Sequence, residues 1–215
     1  MSIIPINPDE PLLESKRVNP ALPIPVLYQA LRIGLYDEYR ARAFYAMVME
    51  RFGTMAARPF GNVRGAEERH AAAMEALCLR YGVSMPMDDW RGKIRLPATL
   101  SQCCEIGVQG EIQNSAMYQH FLAWPMPPDV AGVMRQLRDV SWANHLPAFA
   151  RCAGLALPNR IPDRIDSTRG LSWWGLAIGA GVVWWAMGRK RKTLGAYRLS
   201  TNKHVGKNKI GFYRA

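Results

Sequence analysis

No conventional signal sequence opens this chain: Met1 to Pro25 is rich in proline and acid and lacks a basic start followed by an apolar core. Nor is there a CxxC pair or a regular extracellular cysteine framework. The four cysteines are Cys78, Cys103, Cys104 and Cys152, and adjacent cysteines such as Cys103 and Cys104 rarely bridge each other, so they read mostly as reduced core residues. Acidic residues are almost absent from the C-terminal part. Residues 159–215 hold 12 Lys and Arg against 2 Asp and Glu, whereas residues 1–158 hold 16 against 15, so the two parts carry about +10 and +1. The basic charge therefore lies behind an apolar segment and not over the main domain, which favours an anionic lipid surface over nucleic acid as its partner. With 49% hydrophobic and 21% charged residues, wholesale disorder is excluded.

What is present is helical periodicity. Residues 1–24 carry Pro5, Pro8, Pro11, Pro20 and Pro23, which fix φ and remove donors, so an extended, proline-rich arm is predicted. Leu31, Leu35, Tyr45, Val48 and Phe52 recur at helical spacing from Val26 to Phe52, and Gly53 stands at the stop. A second helix is expected from an Asn62 cap to about Tyr81, with Gly82 ending it. The stretch from Val83 to Thr99 reads as a long crossover. A third helix should run from about Ser101 to Trp124, where Pro125, Pro127 and Pro128 end it. A fourth begins at an Asp129 cap and carries Val133, Leu137, Ser141 and Cys152 in register; Pro147 should kink it or begin a new turn. The fold class predicted is all-α: a four-helix bundle over residues 25–155, with short first and last links and a long central crossover.

Each helix places a metal-capable side chain on its apolar stripe, where an unpartnered charge would be costly. The first carries Glu38 and the second Glu67 with His70, three residues apart and therefore on one side. The third carries Glu111 and the fourth His145. Three carboxylates and two imidazoles suit an iron or manganese pair, with Glu67, and then Glu111, as bridges. Closed structural zinc is disfavoured, because it prefers four ligands and commonly thiolates. Tyr36, Tyr45 and Tyr118 read as packing residues, with a place near the metals as radical or hydrogen-bond partners as the alternative; Met74 and Met117 read as core filler.

The segments DEYRARAFY, FGNVRGAEERH, GEIQNSAMY and SWANHLPAF resemble the ferritin-like di-iron superfamily, and within it a rubrerythrin-related bacterial domain of unknown function. The resemblance covers roughly residues 28 to 152. It implies iron binding and redox chemistry with oxygen or peroxide, with Glu38, Glu67, His70, Glu111 and His145 as ligands. One departure stands out: where the family's fourth helix has Glu-x-x-His, the residue three before His145 is Trp142. Asn114 or Asp37 could supply an oxygen instead, so the site could be asymmetric, hold one metal or be a remnant. Without a rubredoxin-like CxxC module, electrons would come from an external donor or from iron itself.

After a linker over residues 156–170, Leu171 to Gly188 is an uncharged run of 18 residues, roughly 27 Å as a helix, flanked by tryptophan pairs. It reads as a single transmembrane helix, the alternative being a hydrophobic helix buried in an oligomer. Gly175-x-x-x-Gly179 would allow a homodimer or a larger membrane complex. The tail, residues 189–215, has nine basic and no acidic residues and would bind anionic lipids. By the positive-inside rule it lies in the cytoplasm, while the missing signal argues against exporting the bundle, so the side of the membrane stays open. Two functions fit: a membrane-anchored di-iron protein that oxidises Fe(II) or reduces oxygen or peroxide, or a non-catalytic accessory or assembly subunit with a vestigial site.

Overall fold

A computed structural model describes residues 7–163. The transmembrane and basic-tail assignments, residues 171–188 and 189–215, lie outside the described residues, as do residues 164–170 of the linker. Among the described residues all regular structure is helical, and no helix is long and apolar enough to cross a membrane.

The axis of the fold is α2, Val26–Phe52, which buries Leu31, Leu35, Tyr45 and Val48 together with polar Gln29, Asp37 and Glu38. It ends at Gly53, whose φ of 57° suits glycine. An irregular link leads to α3, Asn62–Arg80. Gly82, at φ 63°, ends α3 with the Val83 N–H returning to the Cys78 carbonyl at 2.8 Å, a Schellman-type closure. Two predicted caps are corrected. Asn62 is already helical and makes no side-chain cap, and Asp129 sits inside the next helix start, where its carboxylate accepts from Arg80 and Tyr81, each at 2.7 Å.

The crossover is pinned to α2 through the short α4, Trp90–Lys93, with the Trp90 indole N–H donating to the Tyr36 carbonyl at 2.9 Å. Helix α5, Leu100–Phe121, begins at a capping box in which Thr99 and Gln102 satisfy each other's backbone N–H. The fourth helical stretch comprises α6, Pro128–Val140, a widened turn over Ser141–His145, and α7, Leu146–Ala153. Pro147 explains the widening: it has no N–H for the Ala143 carbonyl and its ring crowds that oxygen, and the Leu146 N–H bonds back to Ser141.

Packing closes a four-helix ring, with α3 on α2, α2 on α5, α5 on α6 and α7, and α6 on α3. Two further expectations are corrected. The N-terminal arm is not wholly extended, since α1, Glu10–Ser15, lies against α2. Cys104 and Cys152 form a disulfide that joins α5 to α7, with Cα atoms 5.7 Å apart, and only Cys78 and Cys103 are free buried thiols. A separation of 48 residues gives no local sign of such a pairing.

Candidate metal centre

All five predicted residues meet in the bundle interior and all are buried. They form two donor sets, Glu38–Glu67–His70 and Glu67–Glu111–His145, with potential ligand atoms in each within 4.8 Å of one another. Glu67 belongs to both, one oxygen to each side: Oε2 lies 3.1 Å from His70 Nδ1 and Oε1 lies 3.0 Å from His145 Nδ1. His70 Nδ1 is also 3.5 Å from Glu38 Oε2, and His145 Nδ1 is 3.4 Å from Glu111 Oε2. The imidazoles stack with centroids 5.4 Å apart.

The outer carboxylates are held by tyrosines from the opposite helix. Tyr118 on α5 donates to Glu38 Oε1 and Tyr45 on α2 donates to Glu111 Oε1, each at 2.6 Å. These two tyrosines are therefore partners of the candidate ligands and not packing alone. Tyr36 is different; it donates to Asp89 and accepts from Lys93 at the crossover.

The sequence carries a signal for this arrangement. Helix α2 carries Gly34, Glu38, Ala43 and Tyr45, and α5 carries Gly107, Glu111, Ala116 and Tyr118, so G-x3-E-x4-A-x-Y occurs twice. The repeat extends to the other helix pair. Met74 follows His70 by one turn and packs on Gly34, and Phe149 follows His145 by one turn and packs on Gly107. The symmetry breaks at three places. Counting back from the histidines, Glu67 corresponds to Trp142, which is half-buried, and the widened turn brings Ser141 inward instead. Next to the outer glutamates, Asp37 corresponds to Gly110 and Asn114 to Ala41. Ala41 and Gly110 line a cleft between α2 and α5 whose wall includes Glu67 and Glu111.

Neither suggested substitute oxygen is left for a metal. Asp37 accepts from Lys16, Arg40 and Asn114, while Asn114 Oδ1 accepts from Ser141 at 3.0 Å.

Burial and the close approach of carboxylates and imidazoles shift the acid–base groups of the site. Burial, then the charge of Glu38, pushes the Glu67 carboxyl up to about 8. Burial works against charging His70 and His145, but the facing carboxylates outweigh it and raise each to about 10. Burial also opposes ionising Glu38, yet the facing His70 imidazole and the Tyr118 hydroxyl outweigh it and leave its carboxyl below the usual value. Tyr45 and Tyr118 are pushed well above the usual phenol range, first by burial and then by the carboxylate each faces. Within the site, Glu38 Oε2 and His145 Nδ1 are buried without a hydrogen-bond partner. Although His145 Nδ1 is close to Glu67, it lies off the direction a hydrogen bond requires. Orphaned donors of this kind among hard oxygens and imidazoles fit a divalent metal.

No model of a known protein family and no curated protein matches the chain. Among solved structures, a hypothetical protein from Methanococcus jannaschii is similar in fold, with a TM-score of 0.55, 17% sequence identity, and coverage of 72% of this chain and 95% of that one.

Proposed function

We propose that this chain is a ferritin-like di-iron carboxylate protein, held at a membrane through residues 171–188, that oxidises Fe(II) or reduces oxygen or peroxide. The observation that carries the reading is the sharing of Glu67 between two buried donor sets, each completed by one outer glutamate and one histidine. Iron or manganese fits this mix of carboxylate oxygen and imidazole nitrogen. A bound iron pair supplies two electrons, one from each ion.

The chain's own groups do the rest. Glu67 would be shared by both ions, Tyr118 and Tyr45 fix the outer carboxylates, and the cleft past Ala41 and Gly110 offers a small molecule a way to the Glu111 side. Since metal must displace protons from Glu67, His70 and His145, binding is coupled to proton release. The basic tail, residues 189–215, would hold anionic lipids, and an external donor would return electrons.

Trp142, standing where a second bridge would be expected, favours a second reading: an accessory or assembly subunit whose site is vestigial. Metal analysis after anaerobic reconstitution, with oxygen uptake on Fe(II) addition, separates the two. The first reading expects close to two irons per chain and oxygen uptake. Less than about half an iron per chain would leave only the second, given how strongly such donor sets retain divalent metal. Glu67→Ala should abolish both sets together, whereas Glu38→Ala and Glu111→Ala should each leave one.

A further inference from the structure

We propose that Lys16 is a positioning residue for the Glu38 side of the centre, acting through Asp37 and Asn114; the proposal rests on the metal-binding reading above. Lys16 follows α1 and is the only non-glycine residue with positive φ among the described residues, at φ 55° and ψ 23°. That left-handed conformation is unfavourable for a residue with a side chain. Its ammonium is also largely buried, which is costly without a partner. An outlier that combines backbone strain with a buried charge points to a task for the side chain.

The task can be followed atom by atom. Lys16 Nζ donates to Asp37 Oδ1 at 2.6 Å, and Arg40 donates to the same oxygen at 2.9 Å. Asp37 Oδ2 accepts from Asn114 Nδ2 at 3.2 Å, and that amide also donates to Glu38 Oε1 at 3.1 Å. Asn114 faces both carboxylates with its NH2, and the two cations hold the Asp37 carboxylate in the position that orients it. Ser141 fixes the other end of the amide. Asn114 and Tyr118 together occupy Glu38 Oε1, and Oε2 is left as the buried oxygen without a hydrogen bond, on the His70 side. The network thus selects which oxygen of Glu38 is available to a metal.

The repeat supplies an internal control. Around Glu111 the positions equivalent to Asp37 and Asn114 are Gly110 and Ala41, which cannot form such a chain, so the effect of Lys16 is confined to one donor set.

The test uses anaerobic Co(II) titration of the full chain, followed by visible absorption, in His145→Ala and His70→Ala backgrounds that each leave one set intact. Outer partners of metal ligands typically change affinity by about 10–100-fold. Lys16→Met is expected to weaken binding by that factor in the His145→Ala background and to change it less than about twofold in the His70→Ala background, with Lys16→Arg restoring most of the loss. Asn114→Ala should give the same selective loss, and adding Lys16→Met to it should cost nothing more. Equal weakening at both sets, or none at either, overturns the proposal. The same applies if Asn114→Ala has no selective effect, which keeps the test decisive even when Lys16→Met does not fold. Absence of Co(II) binding by the unsubstituted chain would instead remove the metal-binding reading itself.

Discussion

Gly107→Ala gives a stringent test of the packing that places His145. A β-carbon at Gly107 would lie 2.6, 2.7 and 2.9 Å from three ring atoms of Phe149. The ring has little room to retreat, because its other neighbours are Tyr45 and Phe60, each with centroids 5.0 Å away. In a helix interior the change to alanine gains about 1 kcal/mol of propensity. Overpacking a rigid core costs about 1–3 kcal/mol, and three contacts this short belong at the upper end. The net expectation is a loss of about 2 kcal/mol, equivalent to roughly 4–8 °C in melting temperature for a domain of this size. Two companion substitutions calibrate it. At Gly34 the close neighbour is Met74 Cε at 2.7 Å, the free end of a flexible side chain, so Gly34→Ala should stay within about 1 kcal/mol of the parent. Gly132 meets nothing within 4 Å, and Gly132→Ala should stabilise by up to about 1 kcal/mol. Thermal melts of the three metal-free variants provide the measurement. If Gly107→Ala melts at or above the parent while Gly132→Ala shows its gain, the placement of α7 on α5 is wrong. Because Phe149 stands one turn from His145, the same substitution should weaken the Glu67–Glu111–His145 set more than its counterpart.

The metal-free protein should lose stability as pH rises from about 6 to about 9.5. Glu67 and the two imidazoles release protons near 8 and 10 when folded but near 4.5 and 6.5 in the unfolded chain, so the folded state holds more protons across that window. Lys16, lowered to about 8 chiefly by burial, works in the opposite direction above that pH, but as one group against the two imidazoles. A melting temperature that stays flat or rises in chelator-treated protein would contradict the assignment. Metal uptake near neutral pH should release more than one proton per chain, readable with an indicator dye in weak buffer. Replacing both Cys104 and Cys152 with serine removes a link closing a loop of 48 residues and should cost about 2–4 kcal/mol by denaturant titration; an unchanged midpoint would mean the disulfide does not form. Tyr118→Phe should disturb the Glu38 set and Tyr45→Phe the Glu111 set, visible as the loss of one Co(II) binding phase in each case; an identical effect from both would contradict the crossed pairing.

The sequence by itself determined the helices and the candidate ligands, because both follow from local periodicity. Apolar residues spaced for one helical face set α2, α3 and α5 within a few residues, and Gly53 and Gly82 marked the ends of the first two. Glu38, Glu67, His70, Glu111 and His145 were legible because a charge on an apolar stripe is visible without knowing its partner. The duplicated G-x3-E-x4-A-x-Y pattern was legible too, though its meaning appears only once α2 and α5 are seen to exchange tyrosines. Other features depend on pairs distant in sequence, whose geometry no local pattern encodes. Tertiary packing alone brought Cys104 to Cys152, folded part of the proline-rich arm into a helix against α2, and carried Lys16 onto Asp37. The widened turn before Pro147 was decided at the same level. It turns Ser141 rather than Trp142 inward, because the proline withdraws one hydrogen bond and the neighbouring helices fix how the chain accommodates the loss.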